Sequence, residues 1–410
     1  MLRDITGHAV NSKLAMEIEA DPRKREWLAK TSHPELLFDD VTAFGSNNEA
    51  VNHIDGEYAP LPFKLDCYSC GFSCKDLSSL NNVSREWSAD CLASGQGSTG
   101  ATWKGNLDVV DATKPLWVQM ENVPAALHLR HRRTMEADLR ARGYCLFFIK
   151  LNAVRYGLPQ SRQRAWFSAI REDVVVERAK WNFAELVAQL ELCEPLPLRD
   201  FLLPPGDKYL EQVMAERQQA AEARAARAAR AKESANAQKK TGRKIVKRCG
   251  KKWLADHWKV RRALNMATSL ELPTPIKTAA RKNGMCERES DLLDIIVNGP
   301  AKPNAEEQPT VELKHSAPRV VGRQGVKKRH FLGATSCLLP TSRMMVMPPI
   351  VPEMRYLLGR EALAIQGLDC GGGHGLTDSE LQHLAGNAFS GSCFAAMFLA
   401  TLVHSSTGIF

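Results

Sequence analysis

Cys74, Glu121 and the pair Arg162 and Arg164 are the residues whose types and order permit chemistry. Cys74 sits in Gly71-Phe72-Ser73-Cys74-Lys75-Asp76-Leu77-Ser78, Glu121 follows 47 residues later in Glu121-Asn122-Val123, and the arginines lie in Gln160-Ser161-Arg162-Gln163-Arg164. A thiolate, a carboxyl group and a guanidinium can together activate a poorly nucleophilic pyrimidine. C5 of cytosine becomes nucleophilic when a thiolate adds at C6. An acid at N3 and a cation at O2 then neutralise the charge developing on the ring. Cys74, Glu121 and one of Arg162 or Arg164 are the candidates for those three roles.

The elements around these residues follow from the apolar pattern. Leu116-Trp117-Val118-Gln119-Met120 predicts a buried strand that delivers Glu121 at its C-terminal end, the edge where open α/β sheets hold their ligands. Pro124 predicts a turn into a helix over 125–142, closed by Gly143. Residues 145–151 and 165–170 predict further strands, and Tyr156-Gly157-Leu158-Pro159 turns the chain into the arginine block. Arg162 and Arg164 alternate, so extended backbone directs both to one face. Alternating strands and helices predict an α/β fold with a mostly parallel sheet and helices on both faces.

These blocks resemble those of the DNA cytosine-5 methyltransferases, and the resemblance continues in order along the chain. Arg355-Tyr356-Leu357 with Arg360-Glu361-Ala362-Leu363-Ala364-Ile365-Gln366-Gly367-Leu368 is similar to a late family block, and Gly386-Asn387-Ala388-Phe389 to its closing one. Glu19-Ala20-Asp21-Pro22 and Asp39-Asp40-Val41 resemble the blocks that bind the ribose and adenine of S-adenosylmethionine. The resemblance covers residues 14 to 172 and 332 to 404. It implies a Rossmann-like S-adenosylmethionine-dependent methyltransferase fold with an inserted target-recognition region. It also implies Cys74 as nucleophile, Glu121 as the acid, Arg164 on the base, Arg162 holding the loop and the acid, and Glu19, Asp40 and Asn387 at the cofactor. The family's glycine-rich cofactor loop is absent, since Glu19 places it at or before Met1 and residues 1 to 13 offer only Gly7. The catalytic core is therefore expected to lack its first strand and loop. Ser73 and Lys75 replace the family's proline and glutamine beside the cysteine.

Length and charge set the organisation. A chain of 410 residues, 44% hydrophobic, suggests a main domain with an insertion. The expected division is a catalytic core over 1–172, a variable target-recognition region over 173–331, and a C-terminal part over 332–410 that returns to the core. Residues 217 to 262 carry 16 Lys or Arg against 3 Asp or Glu, so the remainder is −4 within a total of +9. The stretch 211–237 favours helix but has little apolar surface to bury. The basic run 239–252 reads as phosphate contact or a nuclear import signal, or equally as a solvated insertion. Trp253, Trp258 and Arg261-Arg262 favour a folded piece facing nucleic acid. Residues 298–327 read as linker.

The apolar run Cys393 to Val403 is too short to span a bilayer, and no charged start followed by an apolar stretch marks a secretion signal. Eleven cysteines at irregular spacing argue for reduced thiols. The expected protein is a monomeric DNA cytosine-5 methyltransferase, nuclear in a eukaryote and cytoplasmic in a bacterium, without metal or membrane. Three alternatives stand beside it. One is the same reaction on RNA, although no CFT block precedes the arginines. Another is an inactive nucleic-acid binder that lacks the cofactor loop. The third is a metal site on Cys67, Cys70 and Cys74, for which a second paired-cysteine motif is missing.

Overall fold

The computed structural model describes residues 13–44, 47–78, 89–176, 179–192, 194–240, 252–269, 271–300, 309–314, 317–322, 325–326, 333–368 and 375–406. Gly7 and most of the basic run 239–252 lie outside the described residues.

A four-stranded sheet forms the centre, in the order Cys67–Gly71, Trp117–Asn122, Gln163–Arg171, Tyr144–Asn152. All six residues of Trp117–Asn122 are buried, as expected of a strand covered on both faces. On one face Trp103, Leu107 and Val110 of the helix Gly97–Thr113 and Met135 and Leu139 of the helix Leu129–Arg140 pack against Val118, Met120 and Phe167. On the other, Phe183 and Val187 of the helix Ala179–Gln189 and Met397 of the helix Gly391–Val403 cover Trp117, Trp166 and Ile170. A buried hydroxyl and amide cluster ties that last helix down: Gln119 Nε2 donates to Ser168 Oγ at 2.9 Å and Thr401 Oγ1 at 2.7 Å.

The layering is the expected one, and three of the four strands run in one direction, with Gln163–Arg171 alone reversed. Cys67–Gly71 and Trp117–Asn122 run parallel, whereas Gln163–Arg171 is antiparallel to both of its neighbours. The cause is the short connection after Tyr144–Asn152. A single 3₁₀ turn, Ala153–Tyr156, ends at Gly157 with φ +85°, which returns the chain without a crossover helix. A parallel pair, Met16–Ile18 with Leu36–Phe38, lies apart from this sheet. Met16–Ile18 and Cys67–Gly71 both border one cavity of about 1020 Å³, and no strand of the described residues joins them.

The expected helix over 125–142 is broken. Pro124–Leu127 forms a 3₁₀ turn and the α-helix begins at Leu129. The alanine- and arginine-rich stretch is a helix over Lys208–Lys240 that packs on the helix Thr274–Asn283. Residues 298–327 are not simply linker, for Thr310–Glu312 pairs with Met344–Val346, and Val311, Leu313, Ala317 and Val321 are buried in a core of their own. Arg261 does not face a nucleic acid. It lies buried in the helix Lys252–Ala263, donating to Asp291 Oδ1 and Asp294 Oδ2, both at 2.6 Å, while His257 Nδ1 meets Asp291 Oδ2 at 2.8 Å. A buried guanidinium needs carboxylates, and two acids on the helix Glu287–Asn298 supply them.

One stretch, Asp378–Val403, meets the length and composition of a membrane span. It is two helices, Asp378–Asn387 and Gly391–Val403, with 56% of its most apolar window buried.

Candidate active site

Register brings the chemistry together. Gly71, the last residue of its strand, lies opposite Glu121, so the chain arches from Gly71 to Cys74 beside the acid. Because Gln163–Arg171 is antiparallel, its N-terminal end meets the C-terminal end of the Glu121 strand. That direction puts Arg162 and Arg164 at the same sheet edge as Cys74 and Glu121.

The cysteine loop is held by short polar contacts rather than by a proline. Ser73 N donates to Thr102 Oγ1 at 2.9 Å, and Asp76 N to Thr99 Oγ1 at 3.0 Å. Asp76 Oδ2 in turn accepts from Thr99 N at 2.9 Å, fixing the loop to the start of the helix Gly97–Thr113. Asn122 Nδ2 donates to Phe72 O at 2.8 Å and ties the loop to the acid's own strand. Asn122, Thr99 and Thr102 were not singled out from sequence. Only the adjacency of Asn122 to Glu121 hinted at any of them.

Arg164 Nε lies 2.8 Å from Glu121 Oε1, in a pair whose side chains are 14% and 11% exposed. The approach is an ion pair without hydrogen-bond alignment, so Oε1 keeps an unfilled acceptor position. Burial raises the Glu121 pKa above the usual carboxylate range, against the pull of Arg162 and Arg164. Burial likewise raises the half-buried Cys74 thiol; Arg164 and Arg162 oppose this and Glu121 adds to it. All four predicted catalytic residues therefore share one electrostatic site.

Arg162 is 2% exposed and does not reach a free surface. Its guanidinium donates to Leu338 O at 2.8 Å and Ala388 O at 2.9 Å, clamping the closing block Gly386–Phe389 beneath the arginines. Gly386 has to be glycine, because a Cβ there would fall on the backbone at Leu339 and Pro340. Cys337, unnoticed in the sequence, accepts from Arg162 Nη1 at 3.6 Å and Arg164 Nη2 at 3.5 Å.

The large cavity opens beside this cluster. Asp40 borders it while accepting from Thr42 N and Thr42 Oγ1. Glu19 is not on its wall: the strand ends at Ile18, and the Glu19 carboxylate turns back to accept from Asp21 N at 2.8 Å. Glu17 is on the wall, with a buried Oε2 that has no partner and a pKa raised by burial. Asn387 is exposed and lies off the wall, its Nδ2 3.4 Å from His383 Nδ1. Its neighbour Phe389 lines the cavity instead, with Phe394 and Phe398 in a stacked row at 6.2 and 5.8 Å. Phe394 and Phe398 are four residues apart on one helical face, a periodicity visible in sequence but shared with ordinary core packing. Among the described residues, no three His, Cys, Asp or Glu side chains come together as metal ligands.

A sheet covered by helices on both faces, with a cysteine, an acid and two arginines converging at one edge, defines a Rossmann-like methyltransferase. The chain belongs to the C-5 cytosine-specific DNA methylase family, whose model matches residues 44–398. It is 24% identical over 406 residues to the DNA (cytosine-5-)-methyltransferase DMT5 of Cryptococcus neoformans var. grubii, covering 94% of this chain and spanning 15% of that protein's length. Its fold is similar to the crystal structure of the S. pombe Dnmt2 methyltransferase, with a TM-score of 0.50 at 11% identity over 98% of this chain and 93% of that one.

Family and fold imply S-adenosylmethionine, and the cavity fits it. The aromatic row offers an apolar face, and the Asp40 carboxylate and the unfilled Glu17 Oε2 offer acceptors for hydroxyl and amino groups.

Proposed function

We propose that this chain methylates C5 of cytosine in DNA through a covalent Cys74 adduct. The observation that carries this reading is the Glu121–Arg164 pair at 2.8 Å beside a thiol that feels both arginines and the acid. A cytosine turned out of the duplex enters the edge below the cysteine loop, at a cost of a few kcal/mol. Cys74 Sγ gives its proton up to water and forms a bond to C6 as the C5–C6 π pair shifts into the ring. Glu121, whose pKa burial raises, takes up a proton as the base enters and donates it to N3, and Arg164 holds O2 while remaining beside Glu121. Arg162 keeps the loop at 386–389 and the arginine strand in register. S-adenosylmethionine, when bound, supplies an electrophilic methyl group. After C5 is methylated, loss of its proton lets the C6–S bond break and returns Cys74.

For the cofactor, Asp40, Glu17 and the phenylalanine row are the proposed contacts, and Glu19 and Asn387 stand off the cavity wall. Glu17→Gln is expected to weaken S-adenosylmethionine about tenfold, and Glu19→Gln to leave it nearly unchanged, in calorimetric titration. The reverse order would return the role to Glu19.

The substrate is tested by product analysis. Tritiated S-adenosylmethionine is offered with duplex DNA and, separately, with RNA of the same sequence, and the nucleosides are separated after digestion. Label in 5-methyldeoxycytidine supports the reading. Label only in 5-methylcytidine selects RNA, and DNA binding without label selects an inactive relative.

A further inference from the structure

Apart from the catalytic edge, a second cavity of about 160 Å³ lies where the helix Lys208–Lys240 meets the strand Met344–Val346 and the start of the helix Asp378–Asn387. Three guanidinium groups border it: Arg217, Arg224 and Arg343. Like charges drawn around so small a space repel one another unless something negative lies between them.

The carboxylates present account for two of the three. Asp378 accepts from Arg217 Nη2 at 2.6 Å, and also from Gly359 N at 2.6 Å and Tyr209 OH at 3.0 Å. Glu289 lies 3.2 Å from Arg343 Nε, and its other oxygen is taken by Cys286 N at 3.0 Å and Tyr356 OH at 3.1 Å. Arg224 has no carboxylate partner among the described residues; its Nε donates to Ala220 O at 3.1 Å. The Arg224 side chain is seated over Gly284, where φ is +60° and a Cβ would lie 2.9 Å from Arg224 Nη2. Arg217 Nη1 is buried without a hydrogen-bond acceptor, while Arg343 Nε meets Glu289 Oε1 at 3.2 Å without hydrogen-bond alignment. Ser342 Oγ accepts from Leu339 N and keeps its own proton to donate. The cavity thus holds a surplus positive charge from Arg224, an unfilled N–H of Arg217 and a hydroxyl donor.

We infer that this cavity is a phosphate-binding site, distinct from the catalytic edge, in which Arg217, Arg224, Arg343 and Ser342 hold one tetrahedral oxyanion. The donors are of the fork type that suits phosphate oxygens. The phosphate comes either from the backbone of a bound nucleic acid or from a small phosphorylated compound, and both present the same group. The inference stands whether or not the catalytic reading holds.

The test uses the full chain and inorganic phosphate, titrated by calorimetry against chloride at matched ionic strength. Saturable binding is expected, weakened about tenfold or more in Arg224→Gln. Arg230→Gln, which removes the same charge from a position on the same helix that does not border the cavity, is expected to keep it. Arg224→Lys retains the charge but loses the fork, and is expected to fall between the two. A short duplex that displaces the phosphate identifies a backbone phosphate, and Arg224→Gln then lowers the salt slope of duplex binding by about one. A duplex that leaves phosphate bound identifies a small phosphorylated ligand. Both results support the site. No saturable binding, or equal losses in Arg224→Gln and Arg230→Gln, overturns it.

Discussion

Replacing Glu121 by glutamine is expected to slow methyl transfer by about 10²–10⁴-fold while making Cys74 react faster with iodoacetamide. The opposition follows from the charges at the site. Burial and the Glu121 carboxylate both raise the Cys74 pKa, and Arg164 and Arg162 lower it. Glutamine removes a raising charge and leaves both arginines. The thiolate fraction at a given pH therefore increases, and the alkylation profile moves to lower pH. Cytosine, in contrast, loses the proton donor at N3, and Arg164 loses its 2.8 Å partner. Parallel measurements of alkylation and transfer separate these effects. If both rates fell together, Glu121 would be holding the shape of the site and not acting on the base.

The largest effect on stability is expected at Arg355, far from the reacting atoms. Arg355 donates twice to Glu361, at 2.8 and 2.6 Å, with the residues 8% and 1% exposed. Glu361 also accepts from Leu358 N and Leu203 N, joining the start of the helix Gly359–Ile365 to the segment after residue 202. Arg355→Ala leaves a buried carboxylate with only those two backbone donors, a loss of about 3–5 kcal/mol. Chemical denaturation reads it directly. Arg355→Met with Glu361→Gln removes both charges and is expected to recover part of the loss, because no ion is then left unpaired. A single variant as stable as the parent would show that water reaches Glu361.

Both residues belong to motifs visible in the chain, and the rest of the site divides along physical lines. The strand delivering Glu121 was legible because a run from Leu116 to Met120 can only be buried. Cys74 and the arginines were legible because their chemistry demands each other. Strand direction was not, since a period of two reads the same forwards and backwards; only the short turn at Gly157 made Gln163–Arg171 antiparallel and brought Arg164 to the acid. Glu17 and Glu19 sit two apart and look equivalent in an extended strand. Their difference arises because the strand stops at Ile18 and Glu19 folds onto Asp21. Arg261 read as a surface charge because its carboxylate partners, Asp291 and Asp294, lie about 30 residues further along. Likewise the buried residues between Val311 and Val321 were hidden among prolines, glycines and charges that resemble a linker.

The proposed reaction turns on the bond between Cys74 and the base, and one trapping experiment reads that bond. Duplex DNA carrying 5-fluorocytosine cannot lose a proton from C5, so the adduct formed after methylation persists through denaturation. With S-adenosylmethionine present, a denaturation-resistant complex is expected, its peptide map placing the cross-link at Cys74, and none is expected with Cys74→Ala. A complex that forms equally well in Cys74→Ala, or methylated DNA made by that variant, would contradict the assignment.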